Sequence, residues 1–158
     1  MSYRNAASFG KRQEYIAVAE LLRRDFDVYV TLVDDQQIDC VIRLDDDAGP
    51  PRYLDVQIKA RSFDAKHAAT FAALQIRNPR QNFWFIFYSE VVGTYWVMPS
   101  EDVVRLSNKN KGGKTGDGRN KGKFTIKLAN LTQNGWTPRP KFSHYVDAFD
   151  LLRNPSSS

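Results

Sequence analysis

Residues 52–60 read RYLDVQIKA. Side chains alternate along a strand, so Leu54, Val56 and Ile58 share one face while Asp55, Gln57 and Lys59 share the other. The apolar trio marks a strand of a core sheet. An acid, an amide and an ammonium in a row on such a strand are costly to bury unless something neutralises them, and a metal ion or a phosphate would do so. Across the turn-rich loop DDDAGPP (45–51), Ile38–Leu44 (IDCVIRL) reads as a second strand, predicted to form a hairpin with the first. It carries Asp39 near its start, and pairing around that loop brings Asp39 toward the Gln57/Lys59 end.

Working outward toward the N-terminus, Asp27–Val33 (DVYVTLV) reads as a further strand, followed by a turn at Asp34-Asp35-Gln36. Before it, Tyr15, Val18, Ala19, Leu22 and Phe26 recur at helical spacing and predict a helix over Lys11–Arg24, with Ser8 able to cap its start. Glu20 and Arg24 are placed for an ion pair across one turn. Glu14 borders the apolar stripe. Four polar groups from three elements can therefore converge: Glu14, Asp39, Gln57 and Lys59.

Toward the C-terminus, the Ala-rich stretch Asp64–Ile76, with Phe71 and Leu74 on one face, predicts a helix that Pro79 cannot continue. Asn82–Tyr88 (NFWFIFY) is apolar on both faces, as expected of a central strand, and Thr94–Met98 gives another. Ser100 is predicted to cap a short helix containing Val103, Val104 and Leu106. Phe124–Leu128 reads as a late strand and Tyr145–Arg153 as a C-terminal helix. One domain over 1–158 is expected, with a flexible basic loop at about 107–122 and a disordered tail at 154–158.

The chain has 158 residues, enough for one domain with a real core, and 42% of them are hydrophobic. No apolar run approaches the roughly 20 residues a membrane helix needs, and the first residues lack a secretion signal's apolar segment. One cysteine, Cys40, cannot form an internal disulfide, which fits a cytoplasmic location. The net charge of +5 is concentrated in one place. Between Asn108 and Lys127 stand Lys109, Lys111, Lys114, Arg119, Lys121, Lys123 and Lys127 against Asp117 alone. Lysines interleaved with glycines can follow a phosphate backbone without reading sequence, and a solvated loop would have the same composition.

The order helix-Glu, strand-Asp, hairpin, strand-Gln-x-Lys resembles the PD-(D/E)XK nuclease superfamily, and its carriers are GKRQEYIAVAELL (10–22), QQIDCVI (36–42) and LDVQIKA (54–60). Gln-x-Lys in place of Glu-x-Lys is similar to the Mrr-type branch of restriction enzymes, and the helix glutamate to that of Holliday-junction resolvases. The resemblance covers about residues 9–62, with a similar layout in NFWFIFY and TYWVM. It implies an α/β fold, a restriction-endonuclease-like mixed central β-sheet flanked by helices, and a divalent-metal-dependent nuclease acting on DNA. It further implies Mg2+ or Mn2+ held by Asp39, Gln57 and Glu14, with the Ile58 carbonyl adding a ligand and Lys59 positioning the attacking water or neutralising the phosphate. Nucleic acid would also meet Lys109, Lys111, Lys114, Arg119, Lys121 and Lys123. Two copies addressing two strands would make a homodimer.

Plainer readings stand beside these. Asp39 can open a strand or cap a turn, Gln57 can be a satisfied core amide, and Lys59 can reach out to the sheet edge. Asp55 reads as structural, as do His67 and His144, and the aromatic run Phe83–Phe87 reads as core. A neutral Gln57 also fits a non-catalytic nucleic-acid-binding or protein-interaction module that keeps a vestigial nuclease site.

Overall fold

A computed structural model describes residues 3–33 and 36–155 of the 158. The chain runs α1 (Tyr3–Arg23), β1 (Asp27–Val30), β2 (Cys40–Leu44), β3 (Arg52–Arg61), β4 (Thr70–Leu74), β5 (Phe83–Ser89) and β6 (Thr94–Pro99). It continues with α2 (Ser100–Leu106), β7 (Asn108–Lys109), β8 (Phe124–Lys127), β9 (Ala129–Thr132) and β10 (Gly135–Pro138), and closes on two 3-10 turns, Pro140–Tyr145 and Phe149–Leu152.

Five strands form a mixed central sheet in the order β1-β2-β3-β5-β6. The β2–β3 hairpin is antiparallel, with Cys40 opposite Val56 and Leu44 opposite Arg52. The β3–β5 pair is parallel, with Asp55 beside Phe83 and Lys59 beside Phe87. All five residues Phe83–Phe87 are buried, because β5 lies between two neighbours and is covered on both faces. A smaller antiparallel sheet, β4-β8-β7, contributes its own buried residues to the same core. The α/β class and the mixed central sheet flanked by helices agree with the expectation from sequence.

Helix α1 packs against β3 and β1. Its buried face is Phe9, Gln13, Ala17 and Leu21, with Val18 alongside, whereas Tyr15, Ala19 and Leu22 are exposed. The predicted stripe is thus rotated: the helix has apolar residues on two faces, and the i, i+4 row that includes Phe9 wins. Ser8 lies inside the helix, which starts at Tyr3, and so does not cap it. The C-terminal end closes by a 6→1 bond from Phe26 N to Leu21 O and a 5→2 bond from Asp25 N to Leu22 O, with Asp25 at φ 61°. Phe26 is buried as the sequence implied.

The helix expected over Asp64–Ile76 is instead an irregular segment leading into β4. Between Phe71 and Leu74 the pairing with β8 shifts register, and Ala73 adopts φ 54°. This bulge inserts one residue, so two apolar side chains three apart are both buried from a strand. Ser100 does not cap α2. Its buried hydroxyl accepts from Arg80 N at 2.9 Å and donates to Arg80 O at 3.0 Å, tying the segment before β5 to the start of α2. The C-terminal helix expected over Tyr145–Arg153 is replaced by 3-10 turns interrupted at Asp147, φ 47°. The turn at Asp34-Asp35 and residues 156–158 of the expected tail lie outside the described residues.

Candidate functional site

Asp39 stands one residue before β2. Its N–H donates to Val56 O at 2.8 Å, and its Oδ2 accepts the N–H of Ile58 at 2.6 Å. A strand's N–H points within the plane of its sheet, so this carboxylate lies at the rim between the two faces, against the backbone that joins Gln57 to Lys59. Thr31 fixes the approach, its N and Oγ1 donating to Asp39 O at 3.3 and 3.2 Å. Asp39 is 9% exposed.

On the α1 side, Asp39 lines a cleft of about 250 Å³ with Lys11, Glu14, Tyr15, Val30 and Leu32. Glu14 is half-buried and accepts from Lys11 Nζ at 2.5 Å. The Lys11 ammonium is held above its ordinary value, first by that hydrogen bond and, more weakly, by the negative charge of Asp39, so the two acids and the lysine share one electrostatic environment.

Gln57 and Lys59 face the other way, into a cavity of about 400 Å³ between β3 and the bulge of β4. Gln57 is 5% exposed, and its amide makes no hydrogen bond among the described residues. Lys59 has no ion pair among the described residues. Beside their strand, Phe83, Phe85 and Phe87 stack at centroid spacings of 5.1 and 5.5 Å, with Phe71 against Phe87, so the aromatic run is core. Asp55 bonds Arg80 and takes no part in the cavity.

The structure therefore brings Asp39 to the backbone between Gln57 and Lys59, and Glu14 to Asp39, but the four open into two different clefts, Asp39 and Glu14 into one and Gln57 and Lys59 into the other. Among the described residues no group of three or more His, Cys, Asp or Glu side chains is placed to hold a metal ion. The donors present are all oxygen: two carboxylates, an unbonded buried amide and the backbone carbonyls beside it. That is the donor type magnesium and manganese take. Cys40 is fully buried, and burial, reinforced by the charges of Asp39 and Glu14, pushes its thiol up to about 12, so it is no nucleophile at neutral pH. His67 and His144 are exposed.

Two residues escaped the sequence reading. Arg61 extends the Asp55–Gln57–Lys59 row by one more alternation, a signal that was available, and Gln37 lines the same cavity, with φ 62° and a buried Oε1 that has no partner among the described residues.

The basic segment is built on β7 and β8. Beyond their pairing, Asn110 N donates to Lys123 O and Gly122 N to Asn110 O, both at 2.8 Å, and Gly118 N donates to Gly112 O at 2.9 Å. Lys109, Lys111, Lys114, Arg119 and Lys121 are exposed, and Lys123 is half-buried. Among the described residues no helix is long and apolar enough to cross a membrane.

Comparison with protein-family models and with curated proteins gives no match. Among solved structures, the chain is similar to a bacterial homing endonuclease, I-Ssp6803I, at 18% identity and a TM-score of 0.59, covering 94% of each chain. Over nearly its whole length, then, the chain has the fold of a protein that is an endonuclease.

Proposed function

We propose that the chain is a divalent-metal-dependent nuclease of PD-(D/E)XK type that hydrolyses DNA phosphodiester bonds. The observation that carries this reading is the Asp39 carboxylate seated on the Ile58 N–H, between Gln57 and Lys59, in a fold shared with a homing endonuclease. Mg2+ or Mn2+ would be held by Asp39 and the Ile58 carbonyl, with Glu14 supporting it from α1; the Gln57 side-chain oxygen, which lines the other cavity, would have to turn toward Asp39 to join them. Such an ion supplies charge neutralisation at the phosphoryl oxygens and a water of lowered pKa. Lys59, without an ion pair among the described residues, is left to orient that water or to neutralise the scissile phosphate. The lysines of 109–123 would hold the DNA backbone without reading its sequence. Two copies, one per strand, would complete a double-strand cut.

Titrating manganese into the protein by calorimetry, alongside cleavage of plasmid and branched DNA, tests the reading. Wild type is expected to bind the ion and to cut; Asp39→Ala loses both, and Lys59→Ala loses cutting. Wild type that neither binds manganese nor cuts any of these substrates overturns it. One observation favours a second reading, a nucleic-acid-binding module with a vestigial site: Asp39 already serves the backbone of Ile58, and its cleft is separate from that of Gln57. DNA binding indifferent to chelators and to both substitutions selects that reading.

A further inference from the structure

The cavity between β3 and the β4 bulge has a composition the metal reading does not use. Lys59 and Arg61 stand on one face of β3, separated along the strand by about 6.6 Å. Gln37, Gln57 and Gln75 surround them over a floor of Phe71. No Asp or Glu lines this cavity among the described residues. A site with two cations, three amides and, among the described residues, no carboxylate is suited to an anion with several acceptor oxygens.

The arginine is already half committed. Its Nε donates to Thr70 O at 2.9 Å and its guanidinium carbon lies 5.7 Å from the centre of the Phe71 ring. That fixes the plane of the fork, while its two terminal nitrogens have no partner among the described residues. A fork held by one bond and one ring, with its outer edge unspent, suits a phosphate bidentately and spends little further entropy on binding it. Burial lowers its pKa, as expected of a cation set aside from water with no counter-ion beside it. Gln37 lines the same cavity on a left-handed backbone, and its NH2 is the group that can donate to an anion; its Oε1, buried and without a partner among the described residues, is an acceptor and takes no part in the seat.

We propose that Arg61, with Gln37 and the amide nitrogen of Gln57, forms a phosphate seat next to the one Lys59 serves, taking the neighbouring phosphodiester of the substrate strand. This deepens the nuclease reading and rests on it for the ligand's identity. It also accounts for glutamine at 57. A glutamate there would put a negative charge beside Lys59 and Arg61 and repel an anion, whereas the amide keeps an NH2 that can donate to the phosphate.

Inorganic phosphate, then a four-residue thymidine oligonucleotide, is titrated into the full chain in excess EDTA, followed by nitrogen–proton NMR of side-chain amide and guanidinium groups. Both probes are expected to shift the amide signals of Gln37 and Gln57 and the Nε–H signal of Arg61. Arg61→Gln is expected to weaken this binding about tenfold or more, and Gln37→Ala about threefold, each measured on protein whose melting temperature shows it folded. Shifts confined to the lysines of 109–123, or unchanged affinity in Gln37→Ala together with any folded Arg61 variant, overturn the proposal. Because no metal is present, the outcome is separable from cleavage. Phosphate seated here with no DNA cut defeats the nuclease reading alone. DNA cut equally well by wild type and Arg61→Lys, with no seat found, defeats this one alone.

Discussion

The carboxylate of Asp39 takes the place of a backbone carbonyl for Ile58: Oδ2 accepts the Ile58 N–H at 2.6 Å, where β2 has already left β3. Asp39→Ala leaves that buried donor without its acceptor and should cost about 1–3 kcal/mol. Asp39→Asn, which keeps a carbonyl oxygen, should recover most of this loss while still lacking the negative charge a cation needs. Urea denaturation of the two variants separates the structural from the chemical role. Equal stability of Asp39→Ala and wild type would show that the bond does not hold the strand end.

Cys40, raised to about 12 by burial and by the nearby negative charges, should resist alkylation at pH 8 in the native protein and react once urea unfolds it. Counting labelled thiol by mass spectrometry checks this; rapid native labelling would mean that β2 opens readily or that the thiol is exposed.

Tyr145 Oη donates to Asp102 Oδ2 at 2.6 Å, joining the first C-terminal turn to α2. Burial works to raise the Asp102 carboxyl, but Tyr145 and Arg105 outweigh it and hold it below its ordinary value. A carboxyl with a depressed folded pKa adds stability above its unfolded pKa, and that stability is lost as pH falls through the folded value. Tyr145→Phe should therefore lower the melting temperature at pH 7, with the gap from wild type narrowing below about pH 4. A gap independent of pH would assign the effect to packing alone.

At the tip of the basic segment Gly112 has φ 89°, and a Cβ there would lie 2.6 Å from the Gly116 carbonyl carbon. Gly112→Ala should break the Gly118 N to Gly112 O bond and speed amide exchange at Gly118 without moving the global melting transition. If the lysines around it contact DNA, the slope of log affinity against log salt should flatten in the same variant. Unchanged exchange at Gly118 would show that the turn tolerates the side chain.

The parts of the fold that could be read from sequence are those where one periodicity is unopposed. The β2–β3 hairpin, β5 and β6 have β-branched and aromatic runs bounded by turn residues, and the structure forms them close to the expected limits. The face of α1 was ambiguous because Tyr15, Ala19 and Leu22 compete with Phe9, Ala17 and Leu21 at the same spacing. Residues 64–76 imitate a helix because the bulge at Ala73 lets a strand bury residues three apart. The β9–β10 hairpin, with Gly135 at φ 99°, depends on a short turn with no strong flanking pattern. At the site, alternation placed Gln57 and Lys59 on one face. What it could not show was that the Asp39 carboxylate turns to the Ile58 N–H and opens with Glu14 into a different cleft from that of Gln57 and Lys59.

The crossover between the parallel strands β3 and β5 bears on the order of assembly. The hairpins β2–β3 and β5–β6 join near neighbours, but β4, inside the crossover, finds its partner in β8 only after the intervening sheet exists: Thr70 pairs with Lys127. Closing that long loop early costs entropy with little return, so the small sheet should dock late. Truncating Phe71 should then speed unfolding far more than it slows refolding, so the wall of the anion cavity would be the last part to form and the first to let go.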